Sequence, residues 1–176
     1  MRYLTRIWTA MAVFGAALVH LAVAAGAPLP ELLAFTVIGI LELAWAVATL
    51  TRGRYLLPRA TPPLLLLPLA LWAVVAFAGT SAEITPPLAL AAASALDIGA
   101  AISVAVRARR DDAGVAAADR EPSAGVVIGG LLVGALAMSA IALPALGQTP
   151  AGIAATEGPH ANHTVDLNID LDHEGH

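Results

Sequence analysis

Residues 34–50 read Ala34-Phe-Thr-Val-Ile-Gly-Ile-Leu-Glu-Leu-Ala-Trp-Ala-Val-Ala-Thr-Leu50. This near-unbroken apolar run carries one acid, Glu42, at its middle. It is long enough to cross a bilayer core of ~30 Å as a helix. An ionised side chain at that depth costs about 2.5–3.5 kcal/mol on insertion scales, so Glu42 requires a partner, a proton or water. Other apolar segments of the chain then read as the wall around it.

The rest of the chain agrees with that environment. Of 176 residues, 59% are hydrophobic and only 12% are charged, with a mean hydropathy of +0.79. A soluble domain of this size needs about twice that charge. There is no cysteine, which excludes disulfides and thiolate metal sites. All nine basic residues are arginine; with so much alanine this implies a GC-rich, bacterial coding sequence. The fold expected is an all-α integral membrane protein: a four-helix transmembrane bundle over 1–110, a cytoplasmic linker over 111–123, a fifth transmembrane helix over 124–146 and an extracytoplasmic tail over 147–176.

Five apolar segments support it, at about 7–26, 31–50, 62–79, 87–106 and 124–146. In lipid each has to be a helix, because no other open structure satisfies its own backbone. Pro28 and Pro30, then Pro58, Pro62 and Pro63, then Pro86 and Pro87 mark the first three turnarounds. Arg2, Arg6, Arg52, Arg54, Arg59, Arg107, Arg109, Arg110 and Arg120 all fall on one side of a five-pass arrangement. By the positive-inside rule that side is the cytoplasm of a plasma membrane, with the N-terminus inside and the C-terminus outside. A competing reading takes residues 1–27 as a cleaved signal peptide, with Arg2 and Arg6 as its charged region; the length of the apolar run and the interruption at His20 argue against cleavage.

Three ionisable groups fall inside three different apolar segments: His20, Glu42 and Asp97. Glu31 lies eleven residues before Glu42, three helical turns, and shares its face nearer the outer mouth. Such residues face a bundle interior by default and are functional candidates. Two acids at one depth repel each other and so tend to share a proton or a cation. Three readings follow: hydrogen-bonding glue between helices, proton or ion handling, or a small-ligand pocket. Segment 124–146 carries Gly125, Gly129, Gly130 and Gly134, two small-xxx-small repeats that allow close helix packing, either on its own bundle or on a membrane-protein partner.

The Ile-Gly-Ile-Leu-Glu-Leu stretch at 38–43 resembles the Gly-x-x-Glu helix of the DoxX-like group of small four-helix membrane proteins. The His20 helix, the short turnaround after it and Trp45 are also similar to uncharacterised multi-pass membrane proteins of actinobacteria. The resemblance covers about residues 5–110. It implies a four-helix bundle acting as an accessory to membrane oxidoreductase assemblies, with Glu42 the residue carried over. Segment 124–146 and the tail fall outside the pattern.

The tail has its own chemistry. His160 and His163, then His173 and His176, form two H-x-x-H pairs around a stretch in which Val165, Leu167, Ile169 and Leu171 alternate with Asp166, Asn168, Asp170 and Asp172. The alternation predicts a short strand. Imidazoles and carboxylates without thiolates suit Zn²⁺, Cu²⁺ or Ni²⁺, which makes Zn or Cu the cofactor expected there. No phosphate loop, catalytic triad spacing or H-E-x-x-H occurs, so no enzyme signature is present, and nothing points to nucleic acid. Three functions are carried forward: a non-enzymatic accessory or assembly protein with a divalent-metal-binding external tail, a small proton-coupled transporter using His20, Glu42 and Asp97, and a structural subunit of a larger membrane oxidoreductase complex.

Overall fold

Proline and glycine cut the chain into helices. The computed structural model describes residues 2–77, 87–114 and 123–157. All regular structure among them is helical: α1 (Arg2–Ala24), α2 (Leu29–Arg52), α3 (Thr61–Leu65), α4 (Leu67–Phe77), α5 (Pro87–Asp112), α6 (Ala124–Gly147) and α7 (Pro150–Glu157). Four of these, α1, α2, α5 and α6, are long and apolar enough to cross a membrane. α2 follows Pro28 with Pro30 in its first turn, where a missing N–H costs nothing. It stops at Gly53, whose φ of 65° is the left-handed conformation that ends helices and favours glycine. α5 runs past its apolar stretch into the charged sequence, where Arg107 pairs with Asp111 one turn on, at 3.0 Å.

Segment 62–79, expected to be a single crossing, is described only as far as Phe77. Its described part is two short helices, α3 and α4, meeting at Leu66, so a fifth span is not established. Pro68 is the cause. It has no N–H to donate to the Leu64 carbonyl, and its ring crowds that carbonyl. The Leu66 N–H instead bonds back to the Pro63 carbonyl, three residues away.

The hub of the bundle is α1, which packs against α2, α5, α6 and α7. In its apolar stretch 67% of residues are buried, against 28% in α2 and 11% in α6. Side-chain size explains this. Ala10, Ala12, Val13, Ala16, Ala17 and Val19 are buried around α1, and Ala89, Ala93, Ala100 and Ala101 line α5. Small residues let helices approach closely where lipid gives no hydrophobic drive between them. The bulky residues of α2, including Leu33, Val37, Ile40, Leu41 and Val47, point outward and form an exposed apolar surface suited to acyl chains.

A polar knot ties one end of the bundle. The Trp45 indole N–H donates to the Leu56 carbonyl and to the Thr61 hydroxyl, each at 3.1 Å, while its ring stacks on Tyr55. Tyr55 meets the Thr9 hydroxyl of α1 at 3.3 Å. Burial raises the Tyr55 pKa above its ordinary value; the Thr9 contact and the charges of Arg6 and Arg107 oppose that shift. Arg59 joins the α2–α3 connection to Asp112 at the end of α5, 2.7 Å apart. The described arginines of the α2–α3 connection, the end of α5 and the start of α1 thus gather at one end. At the other end, Pro150 of α7 abuts Gly26 in the α1–α2 turn.

Candidate functional site

His20, Glu42 and Asp97 come together in the interior. Each offers a ligand atom, and these atoms all lie within 4.8 Å of one another. Their exposures are 1%, 6% and 1%. His20 Nδ1 lies 2.8 Å from Glu42 Oε2, a hydrogen bond in which the ring N–H donates when the carboxylate is ionised. Phe35 stacks on the imidazole, with centroids 5.9 Å apart and planes 17° apart, and so fixes the ring's orientation.

The local sequence explains the convergence. On α2 the buried residues are Phe35, Gly39, Glu42, Ala46 and Thr49, spaced by three and four, one stripe of a helix. α1 and α2 run antiparallel through a tight turn. Side chains lean toward the N-terminus of their own helix, so the His20 ring leans toward the arginine end, the Glu42 side chain toward the far end, and they meet. Gly39 sets the helix spacing. A Cβ there would lie 2.7 Å from Leu21 Cγ and 3.1 Å from the Ala17 carbonyl oxygen, so any larger residue forces α1 and α2 apart. Asp97 enters from α5 between Ala93 and Ala100, both fully packed.

The electrostatic balance of the cluster is lopsided. Both Asp97 oxygens and Glu42 Oε1 are buried with no hydrogen-bond partner. Buried carboxylate oxygens are ordinarily paired, and each unpaired one costs free energy. The site therefore presents three unpartnered acceptor atoms facing one imidazole. Chemically it can hold a proton shared among acid, acid and imidazole, or a cation.

Other expected residues fall elsewhere. Glu31 sits in the first turn of α2, where the helix dipole favours an acid. Its Oε2 is buried and unpartnered, but three turns, ~16 Å, separate it from Glu42. In α6, Gly130 lies against Leu4 and Gly134 against the Trp8 indole, whose N–H donates to the Gly130 carbonyl at 2.8 Å; Gly125 and Gly129 face open space. The tail residues His160, His163, Asp166, Asp170, Asp172, His173 and His176 lie outside the described residues, as does the strand expected around them. A cavity of about 340 Å³ opens between α1, α5 and α6, lined by Thr5, Trp8, Leu96, Ser103 and Met138 among others, with no ionisable lining residue.

Two residues important to the site carried weaker signals. Gly39 entered the sequence reading only through the Gly-x-x-Glu resemblance. Thr49, fully buried on the Glu42 stripe with an unpartnered hydroxyl, was visible through its spacing. The helix α7 was not expected within the tail; the Thr149 hydroxyl accepts from the Gly152 N–H at 3.1 Å, capping a helix that starts with proline. Comparison with family models, with curated proteins and with solved structures finds no match to this chain.

Proposed function

We propose that this protein is a small multi-pass carrier of the plasma membrane, in which His20, Glu42 and Asp97 take up and release a proton or cation within the bilayer. The observation that supports it is the meeting of three buried ionisable side chains from three helices with three carboxylate oxygens left unpartnered. Glue between helices is usually satisfied by its partners, whereas here one imidazole serves one of four carboxylate oxygens and the other three have no partner. Intramembrane acid and histidine groups of this kind mark proton relays and ion pathways. The arginine-bearing end faces the cytoplasm in this reading, by the positive-inside rule.

The test is flux through reconstituted protein. Liposomes containing the full chain and an internal pH dye receive a pH step, with a membrane potential clamped by valinomycin. Wild-type protein is expected to acidify the lumen faster than empty liposomes, and Glu42→Gln to lose that flux while keeping its melting temperature in detergent. Wild-type flux no faster than empty liposomes, or a Glu42→Gln variant as fast as wild type, would sink the proposal.

A further inference from the structure

We propose that the buried cluster contributed by α1, α2 and α5 is a binding site for a divalent first-row transition-metal ion, held by one ring nitrogen of His20 and one carboxylate oxygen each from Glu42 and Asp97. This deepens the carrier reading by naming the cation class, and it rests on the same cluster being the working site.

Distance is the first argument. A tetrahedral ion with bonds of about 2.0–2.2 Å to nitrogen and oxygen sets its ligand atoms roughly 3.4 Å apart. The three ligand atoms already lie within 4.8 Å of one another. Closing that gap takes less than ~1 Å of movement per side chain, within the reach of small torsional adjustments. The backbone has done the assembly, since the residues sit twenty-two and fifty-five positions apart along the chain (42 − 20 and 97 − 42).

Unsatisfied chemistry is the second. Asp97 is 1% exposed, and neither of its oxygens has a partner. Glu42 uses one oxygen on His20 and leaves the other unpartnered. These atoms accept and cannot donate when ionised, so a positive centre among them is the complement they lack.

Charge and donor type then select the ion. Two carboxylates and a neutral imidazole sum to −2, so a divalent cation makes the site neutral inside an apolar bundle, where an uncompensated charge is costly. A monovalent ion leaves one charge over. Nitrogen with two oxygens and no sulfur fits Zn²⁺, Mn²⁺, Fe²⁺ or Co²⁺ and disfavours Cu⁺. Ca²⁺ takes six to eight oxygen ligands and Mg²⁺ a near-octahedral set of oxygens, which an imidazole and two acids do not supply. Three protein ligands leave a coordination position open, an arrangement that suits an ion destined to leave again.

The test uses the full chain with His160, His163, His173 and His176 each replaced by alanine, so that the tail cannot contribute imidazoles. Purified in detergent, it is titrated with Zn²⁺ by calorimetry and with Co²⁺ by visible absorption. One equivalent of Zn²⁺ is expected, with Co²⁺ giving the intense d–d bands of a four- or five-coordinate ion. His20→Ala and Asp97→Asn should each weaken binding at least tenfold, while Asp97→Glu retains it. Asp97→Asn carries the test alone if His20→Ala does not fold, and melting without metal checks that it is folded. Absence of stoichiometric binding, or binding unchanged in Asp97→Asn, overturns the proposal. Flux in metal-free liposomes separates it from the carrier reading. Glu42-dependent proton flux without metal binding removes the metal and keeps the carrier; metal binding without flux of proton or metal does the reverse.

Discussion

At His20 the balance between helix packing and a working site can be read from single substitutions. His20 gives Glu42 the hydrogen bond recorded for it, and nothing donates to Asp97. Removing the imidazole therefore strips Glu42 of its hydrogen-bond partner and leaves two acids facing each other. His20→Ala is expected to destabilise the protein by about 1–3 kcal/mol, toward the upper end because the stranded group is a carboxyl. Asp97→Asn should behave oppositely. It removes the acid that has no partner and supplies an amide that can donate, so stability should stay within about 1 kcal/mol of wild type or rise. Unfolding in mixed micelles measures both. A large loss in Asp97→Asn would mean that Asp97 is structural, and the unpartnered oxygens would lose their functional reading. Each of these residues was legible in the sequence because an ionisable group in an apolar run needs a reason to be there. Their meeting point was less legible, since counting residues from helix ends puts His20 much nearer its end than Glu42 or Asp97. The lean of antiparallel side chains and the bare backbone at Gly39 close that gap.

Among the elements, proline and glycine explain both what the sequence revealed and what it concealed. The prolines at 28, 30, 62, 63 and 87 mark helix starts. Pro68, set in a leucine-rich run, was masked by hydropathy, which reports burial and not backbone continuity; it separates α3 from α4. α6 shows the same limit with glycine. Its repeat signals close packing but not which glycine packs. A Cβ on Gly134 would sit 2.6 Å from Trp8 Nε1, whereas one on Gly129 meets nothing within 4 Å. Gly134→Val is therefore expected to lower stability by about 1–3 kcal/mol by forcing α6 off α1. Gly129→Val should change it by less than about 0.5 kcal/mol, as an exposed substitution away from any contact. Thermal melts of the two variants in detergent make the comparison, and equal losses would show that α6 does not dock on α1 through Trp8.

For the whole molecule the distribution of charge and aromatic side chains is what the proposed orientation rests on. Arg59 and Asp112 join the α2–α3 connection to the end of α5, and Trp45, Tyr55 and Thr9 tie α1, α2 and that connection together. Aromatic rings with polar tips and clustered arginines both favour the membrane–water boundary, arginines on the cytoplasmic side. The far end, where α7 meets the α1–α2 turn at Pro150 and Gly26, has no arginine among its described residues. An even simpler consequence follows from the parallel course of α1 and α6, which both begin near Leu4 and Gly130 and end near Gly26 and Pro150. Whatever side α1 starts on, α6 starts there too, and α7 lies on the opposite side. Because the chain has no cysteine, single introduced cysteines report position without background. Cysteine at Thr156, exposed in α7, is expected to react with a membrane-impermeant maleimide in intact cells. Cysteine at Arg54 or Ala113, both exposed at the arginine end, should react only after the membrane is opened. Labelling of all three positions in intact cells would remove the spanning arrangement. The reversed pattern would keep the bundle and turn it over, placing the unpaired Glu31 oxygen on the cytoplasmic side of the His20 cluster.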